Sequence, residues 1–238
     1  MGSHVGSGLC GALCAVVMGC AAAGAPAPRG AADGRTAVLP WELPASALGT
    51  QRVLRARYAG PEMDAVVRLV LRLEAADRFQ LQAADRLGRA VWDLQLVGGD
   101  VFWVDHQGEL VCRGLPERGL PPGLGDPLPV AELPAVLLGV LPARPADPAA
   151  AGDGRELAFV DRLGRRWSGR LDRDGALAEW ALWSGTRPEW RFQVRDGGGV
   201  LWQPDGGRRL EWTAGVVEPL TGLTPLSVPG SYREECGG

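Results

Sequence analysis

Residues 79–114 read FQLQAADRLGRAVWDLQLVGGDVFWVDHQGELVCRG. Apolar side chains alternate at Phe79, Leu81 and Ala83, and again at Trp92, Leu94 and Leu96. A period of two belongs to a strand with one face buried. Asp85-Arg86-Leu87-Gly88 separates the two runs, a hairpin loop with a leucine at or near its tip. Two further turns follow, at Gly98-Gly99-Asp100 and at Asp105-His106-Gln107-Gly108. Gly and Asp supply the backbone angles that tight hairpins require. The stretch predicts a meander of antiparallel strands, one loop of which carries a leucine that the alternation does not bury.

The pattern continues on both sides. Residues 51–58 read as a strand. In 65–74, Val67, Leu69, Leu71 and Leu73 alternate with Arg68, Arg72 and Glu74, so that strand has a charged outer face. Residues 115–128 form a Pro/Gly-rich connector. Residues 130–139, VAELPAVLLG, are the best helix candidate, with Leu133, Val136 and Leu137 on one face. Pro134 is harmless in the first turn of such a helix, and Gly139 is a natural stop. From Glu156 onward strands return, with Leu157, Phe159, Trp167, Leu171, Trp180, Leu182, Trp190, Phe192, Val194, Leu210 and Trp212 at alternating positions. Turns at 161–164, 172–175, 196–198 and 205–207 space them regularly, as in a barrel or sandwich.

An antiparallel sheet with one charged face must hide the other, by curling round a helix or a ligand. Many inward Trp and Leu against one clear helix predict a mainly β fold: a single unclosed antiparallel β-barrel with one or a few covering helices. Inward candidates for an acyl-chain cavity are Leu69, Leu71, Trp92, Leu94, Trp180, Trp190, Phe192 and Trp212. Wide, rigid Trp walls leave gaps that fit acyl chains; a fully packed core satisfies the same pattern.

The N-terminal part reads as a leader. Leu9–Met18 is an apolar run too short to span a bilayer but suited to a secretory signal. It ends in Val17-Met18-Gly19-Cys20, which resembles a bacterial lipobox, and so implies lipid attachment at Cys20. The segment before Leu9 contains His4 but no Lys or Arg. A plain signal peptide or a buried N-terminal helix is the other reading. Residues 21–35, rich in Ala, Gly and Pro, form a flexible tether. The expected organisation is a lipoprotein signal peptide at 1–19, a tether at 20–36, a β-barrel domain at 37–220 and a C-terminal extension at 221–238.

Composition narrows the function. The net charge is −3 and the pI about 5.5, which does not suggest a nucleic-acid partner. All 25 basic residues are Arg. With no Lys there is no Walker-type phosphate loop and no Schiff-base chemistry. After the leader, the one His is His106. There is no His-Glu zinc motif, no Gly-x-Ser-x-Gly elbow and no Cys-x-x-Cys. No catalytic residue, metal ligand or cofactor is assigned, and an enzyme is not expected. Cys112 and Cys236 remain after Cys20; in an oxidising compartment they pair, or stay as separate thiols.

Three segments together resemble the LolA/LolB-like envelope lipoproteins, LolB-type outer-membrane receptors in particular. They are the 79–114 stretch, PLPVAELPAVLLGVLP (127–142) and PDGGRRLEWTAGVVEPL (204–220). The resemblance covers roughly residues 41–220, and the lipobox agrees with it. It implies an unclosed barrel covered by helices, whose apolar cavity holds lipoprotein acyl chains. It further implies a monomer anchored in the outer membrane and facing the periplasm, which receives lipoproteins from a LolA-like periplasmic carrier and inserts them among outer-membrane lipids. Leu87 matches the exposed leucine of the family's membrane-insertion loop, although Arg86 replaces the family's small residue or Pro before it. The alternatives are a Leu87 folded back on its hairpin, and a lipoprotein of this fold that binds a protein partner or another lipid.

Overall fold

The computed structural model describes residues 41–61, 64–114, 128–147 and 154–234. All of them lie in one compact unit, Val38–Gly238. The leader, Cys20, the tether and Cys236 lie outside the described residues.

Among the described residues, thirteen strands form one sheet. They are β1 (Thr50–Ala59), β2 (Asp64–Ala75), β3 (Arg78–Ala84), β4 (Ala90–Val97), β5 (Asp100–Asp105), β6 (Leu110–Gly114), β7 (Glu156–Val160), β8 (Arg166–Leu171), β9 (Leu177–Ser184), β10 (Arg187–Arg195), β11 (Gly198–Trp202), β12 (Arg209–Pro219) and β13 (Arg233–Glu234). The order is β13-β6-β5-β4-β3-β2-β1-β12-β11-β10-β9-β8-β7. Two meanders are therefore joined where β1 pairs with β12. The edge strands β7 and β13 do not meet, so the sheet is unclosed. The expected mainly β, unclosed antiparallel architecture is what the chain adopts, with one short helix among the described residues.

That helix is smaller than its sequence pattern. Val130–Glu132 forms a 3-10 turn, followed by α1 (Leu133–Leu137) with Pro134 in its first turn. Gly139, at φ 72°, supplies the left-handed residue that ends it. Every residue of α1 is buried, so the helix is a plug on the sheet's concave side.

Alternation places one row of side chains inward on each strand. Leu54 and Ala56 of β1, Leu69, Leu71 and Leu73 of β2, Phe79 and Leu81 of β3, and Trp92, Leu94 and Leu96 of β4 all enter one core. On the other arm an aromatic row crosses the strands. Ring centroids lie 5.3 Å apart for Trp167–Trp180, 5.4 Å for Trp180–Phe192 and 5.7 Å for Phe192–Trp212. Gly199 on β11 makes room for this row: a Cβ there would stand 2.6 Å from Phe192 Cε2 and 2.8 Å from Trp212 Cζ2.

Neighbouring strands from β6 round to β7 are all antiparallel. From β1 to β12, odd-numbered strands thus point one way and even-numbered strands the other, while β13 runs with β6. The loops β1–β2, β3–β4, β5–β6, β7–β8, β9–β10 and β11–β12 consequently leave the same end of the trough, here called its rim.

The tail beyond β12 returns along the outer face. Gln95 Nε2 donates to the Thr224 carbonyl at 3.2 Å. His106 Nδ1 lies 3.1 Å from the Tyr232 hydroxyl, and His106 Nε2 lies 2.8 Å from Asp93 Oδ2. β13 then adds to β6 in parallel. Gln80, Asp93 and Val104 face outward from the trough and yet are buried. Cys112 on β6 is disulfide-bonded, to a partner outside the described residues.

Candidate functional site

The core is not filled everywhere. A cavity of about 190 Å³ lies at the rim end of the trough, under the helix. Its wall comes from Tyr58 at the end of β1, Val67 and Leu69 on β2, Leu81 on β3, Trp92 on β4, Trp190 on β10, Leu201 on β11, Leu210 on β12, and Leu133, Val136 and Leu137 of α1. The wall is nearly all apolar. Asp85 and Gln107, from the β3–β4 and β5–β6 loops, complete it at the rim. An engineered cavity of about 150 Å³ in another protein binds benzene, so this one has room for a short length of hydrocarbon.

One wall residue has unspent polar chemistry. The Tyr58 hydroxyl is buried and without a hydrogen-bond partner, and the residue is 6% exposed. A buried hydroxyl with no acceptor is costly. A hydrogen-bond acceptor brought to this hydroxyl would relieve that cost.

Of the eight inward residues singled out by alternation, all are buried. The structure brings Leu69, Trp92 and Trp190 to the cavity wall. Leu71, Leu94, Trp180, Phe192 and Trp212 belong to the same core but not to this cavity's wall. Among the described residues there is no cluster of His, Cys, Asp and Glu fit for a metal ion. No helix among them is long and apolar enough to cross a membrane.

Leu87 projects from the rim beside the cavity and is 79% exposed; it does not fold back on its hairpin. Its loop is rigidly built. Asp85 Oδ1 accepts from the backbone N–H of Leu87 at 2.8 Å and of Arg89 at 2.9 Å, and Asp85 Oδ2 accepts from Arg89 Nε at 2.7 Å. The Arg89 guanidinium holds the Asp85 carboxyl below the usual carboxylate range. Gly88, at φ 81°, closes the turn.

The helix that roofs the cavity is tied to the far arm. Arg165 pairs with Glu132 and donates to Asp161 Oδ2 at 2.7 Å. Trp167 Nε1 donates to the same Asp161 oxygen at 2.9 Å, and the Arg165 guanidinium lies 5.2 Å from the Trp167 ring. Burial pushes the Glu132 carboxyl up, more than its bond to Arg165 pulls it down. Burial also acts upward on Asp161, but bonds from Trp167 and Arg165 outweigh it and leave that carboxyl low. The opposite end of α1 is held by Trp212 Nε1, which donates to the Leu137 carbonyl at 3.1 Å.

The sequence carries a further signal that alternation does not reveal. Asp-Arg-Leu-Gly-Arg occurs twice, at 85–89 and at 161–165. The second copy repeats the first bond for bond: Asp161 Oδ1 accepts from the N–H of Leu163 and of Arg165, both at 2.9 Å. Gly164 has φ 78°.

No family model matches the chain, and no curated protein matches it. Solved structures do. A LolA superfamily protein from Nitrosomonas europaea is similar over 77% of this chain and 90% of its own, at 12% identity and a TM-score of 0.47. A DUF1329 family protein from Desulfovibrio piger is similar over 74% and 87%, at 11% identity and 0.44. A domain from Vibrio parahaemolyticus, described as an outer membrane lipoprotein-sorting protein, is similar over 74% and 86%, at 13% identity and 0.36. At these identities and scores the likeness carries no assignment of activity.

Proposed function

We propose that this chain is a non-enzymatic, lipid-anchored envelope protein that binds the acyl chains of lipoproteins and passes them to a membrane. One observation carries the reading: an apolar cavity under a short helix, at the end of the trough where an exposed leucine projects. The Tyr58 hydroxyl adds a hydrogen-bond donor for the ester of an acylated ligand. The lipobox-like Val17-Met18-Gly19-Cys20 supports a lipid anchor, whose place in this reading is the outer membrane, facing the periplasm.

Transfer needs no covalent step. A receptor that holds the chain more tightly than a LolA-like carrier draws it over, and each tenfold preference needs about 1.4 kcal/mol. At about 190 Å³ the cavity is below the ~300–1,000 Å³ of ordinary ligand pockets. A whole acyl chain therefore enters with outward movement of α1, which is tethered at Glu132 and Leu137 and is only five residues long. Leu87 then meets the bilayer while Arg86 reaches the head groups.

The test is transfer from a carrier loaded with lipoprotein. Movement of the lipoprotein onto this chain, with insertion into membranes lost in Leu87→Glu, supports the proposal. A well-folded chain that takes nothing from the carrier refutes it.

A further inference from the structure

The repeated pentapeptide gives the rim a second projection. Leu163 is 61% exposed at the tip of the β7–β8 loop, as Leu87 is 79% exposed at the tip of β3–β4. Both loops leave the same end of the sheet, by the strand directions given above. They sit on different arms of it: β3 and β4 belong to one meander, β7 and β8 to the other. The roof of the cavity joins them, since α1 lines the cavity with Asp85 and Trp92 on one side, while the preceding Glu132 pairs with Arg165 of the second loop.

A solvated loop gains nothing from an apolar tip. Two loops with the same Asp-anchored scaffold present the same leucine, and each leucine follows an exposed arginine, Arg86 or Arg162. The loop carboxylates are consumed internally, Asp85 by Arg89 and Asp161 by Arg165. Each tip therefore offers an apolar group beside an unneutralised cation. That chemistry fits the interface of an anionic bilayer, where the leucine enters the acyl boundary and the guanidinium stays among phosphates.

We infer that Leu163 and Leu87 form a two-point membrane contact, which sets the rim of the trough, and with it the mouth of the cavity, flat on an anionic bilayer. The inference rests on the reading of Leu87 as a membrane-contacting residue. Two contacts on separate arms fix orientation as well as affinity, whereas one leaves the molecule free to pivot.

The experiment is flotation of the compact unit Val38–Gly238, which contains the whole described core. The vesicles are phosphatidylethanolamine with phosphatidylglycerol, compared with phosphatidylcholine alone. Leu87→Gln, Leu163→Gln, Arg162→Gln and the double leucine variant are compared with the unaltered chain. Both leucines are exposed, so the variants fold, which circular dichroism checks. Either leucine substitution is expected to weaken binding about tenfold, and the double variant to abolish it. Arg162→Gln should weaken binding to the anionic vesicles only. Loss in Leu87→Gln with unchanged binding in Leu163→Gln overturns this inference and leaves the function reading standing. Binding that is absent, or indifferent to both leucines, removes the membrane step of that reading and this inference with it. Leu163→Gln with normal vesicle binding but impaired uptake from a carrier makes Leu163 a protein contact, and so also overturns it.

Discussion

The indole N–H of Trp212 reaches across the core to the Leu137 carbonyl at 3.1 Å, and so pins the last turn of the only described α-helix to the sheet. The last carbonyls of any helix lack intrahelical partners, so this bond satisfies a buried group that nothing else serves in the bonds described. Trp212→Phe keeps an aromatic ring against Phe192 and removes only the donor. It should lower stability by about 1–2 kcal/mol, with an unchanged denaturant slope. An unaltered urea midpoint would show that the bond does not hold the helix down.

The other tether responds to pH through two carboxyl groups shifted in opposite directions. Glu132 is raised by burial, so the folded chain binds its proton more readily than the unfolded chain does. Its contribution to stability therefore grows as pH falls through the folded value toward the ordinary Glu range near ~4.3. Asp161 is lowered by its bonds to Trp167 and Arg165, so its contribution is present above the ordinary Asp range and is lost as pH falls toward the folded value. In urea melts, the difference between the unaltered chain and Glu132→Gln should shift in favour of the unaltered chain on acidification from neutrality. The difference from Asp161→Asn should shrink below about pH 3.9. A Glu132→Gln difference independent of pH would contradict the assignment.

Tyr58 separates stability from binding. Tyr58→Phe removes a buried hydroxyl that has no partner, so the empty protein should be unchanged or more stable by up to ~1 kcal/mol. Affinity for an ester-bearing acyl ligand should fall about tenfold, while affinity for a plain alkane of equal length stays the same. Equal losses for both ligands would mean that the hydroxyl does not meet the ester.

Cys112 is in a disulfide, and the sequence offers Cys236 as the expected partner. The register of β13 against β6 pairs Glu234 with Val111, one residue before Cys112. Cys236→Ser should lower stability by ~2–4 kcal/mol and leave Cys112 open to alkylation in the native protein. Full protection of Cys112 in that variant would exclude the pairing.

Much of this molecule was legible in the chain. Phe79 and Leu81 on one strand, and Trp92, Leu94 and Leu96 on the next, each keep strict alternation, because a one-residue slip would turn the row to solvent. The helix was legible from Leu133, Val136 and Leu137 on one face, but its short length was not, since tertiary contacts decide where a turn stops. Alternation tells which face a residue is on and not how densely that face is packed. Leu69 and Leu71 read alike, yet Leu69 lines the cavity and Leu71, in the same core, does not. The tail was illegible for another reason: Thr224 and Tyr232 dock through single polar bonds to Gln95 and His106, and such bonds leave no period. The second leucine loop was in plain view as a repeat, and only the matched hydrogen bonds give it meaning.

The central claim is that the cavity takes an acyl chain. Its most direct test is titration of Val38–Gly238 with a fluorescent diacylated cysteinyl peptide, alongside Val67→Trp, which fills the void from its β2 wall. The account predicts saturable one-to-one binding, displaced by free fatty acid, and weakened at least about tenfold in a folded Val67→Trp protein. Equal binding by both proteins, or none by either when both are folded, would contradict it.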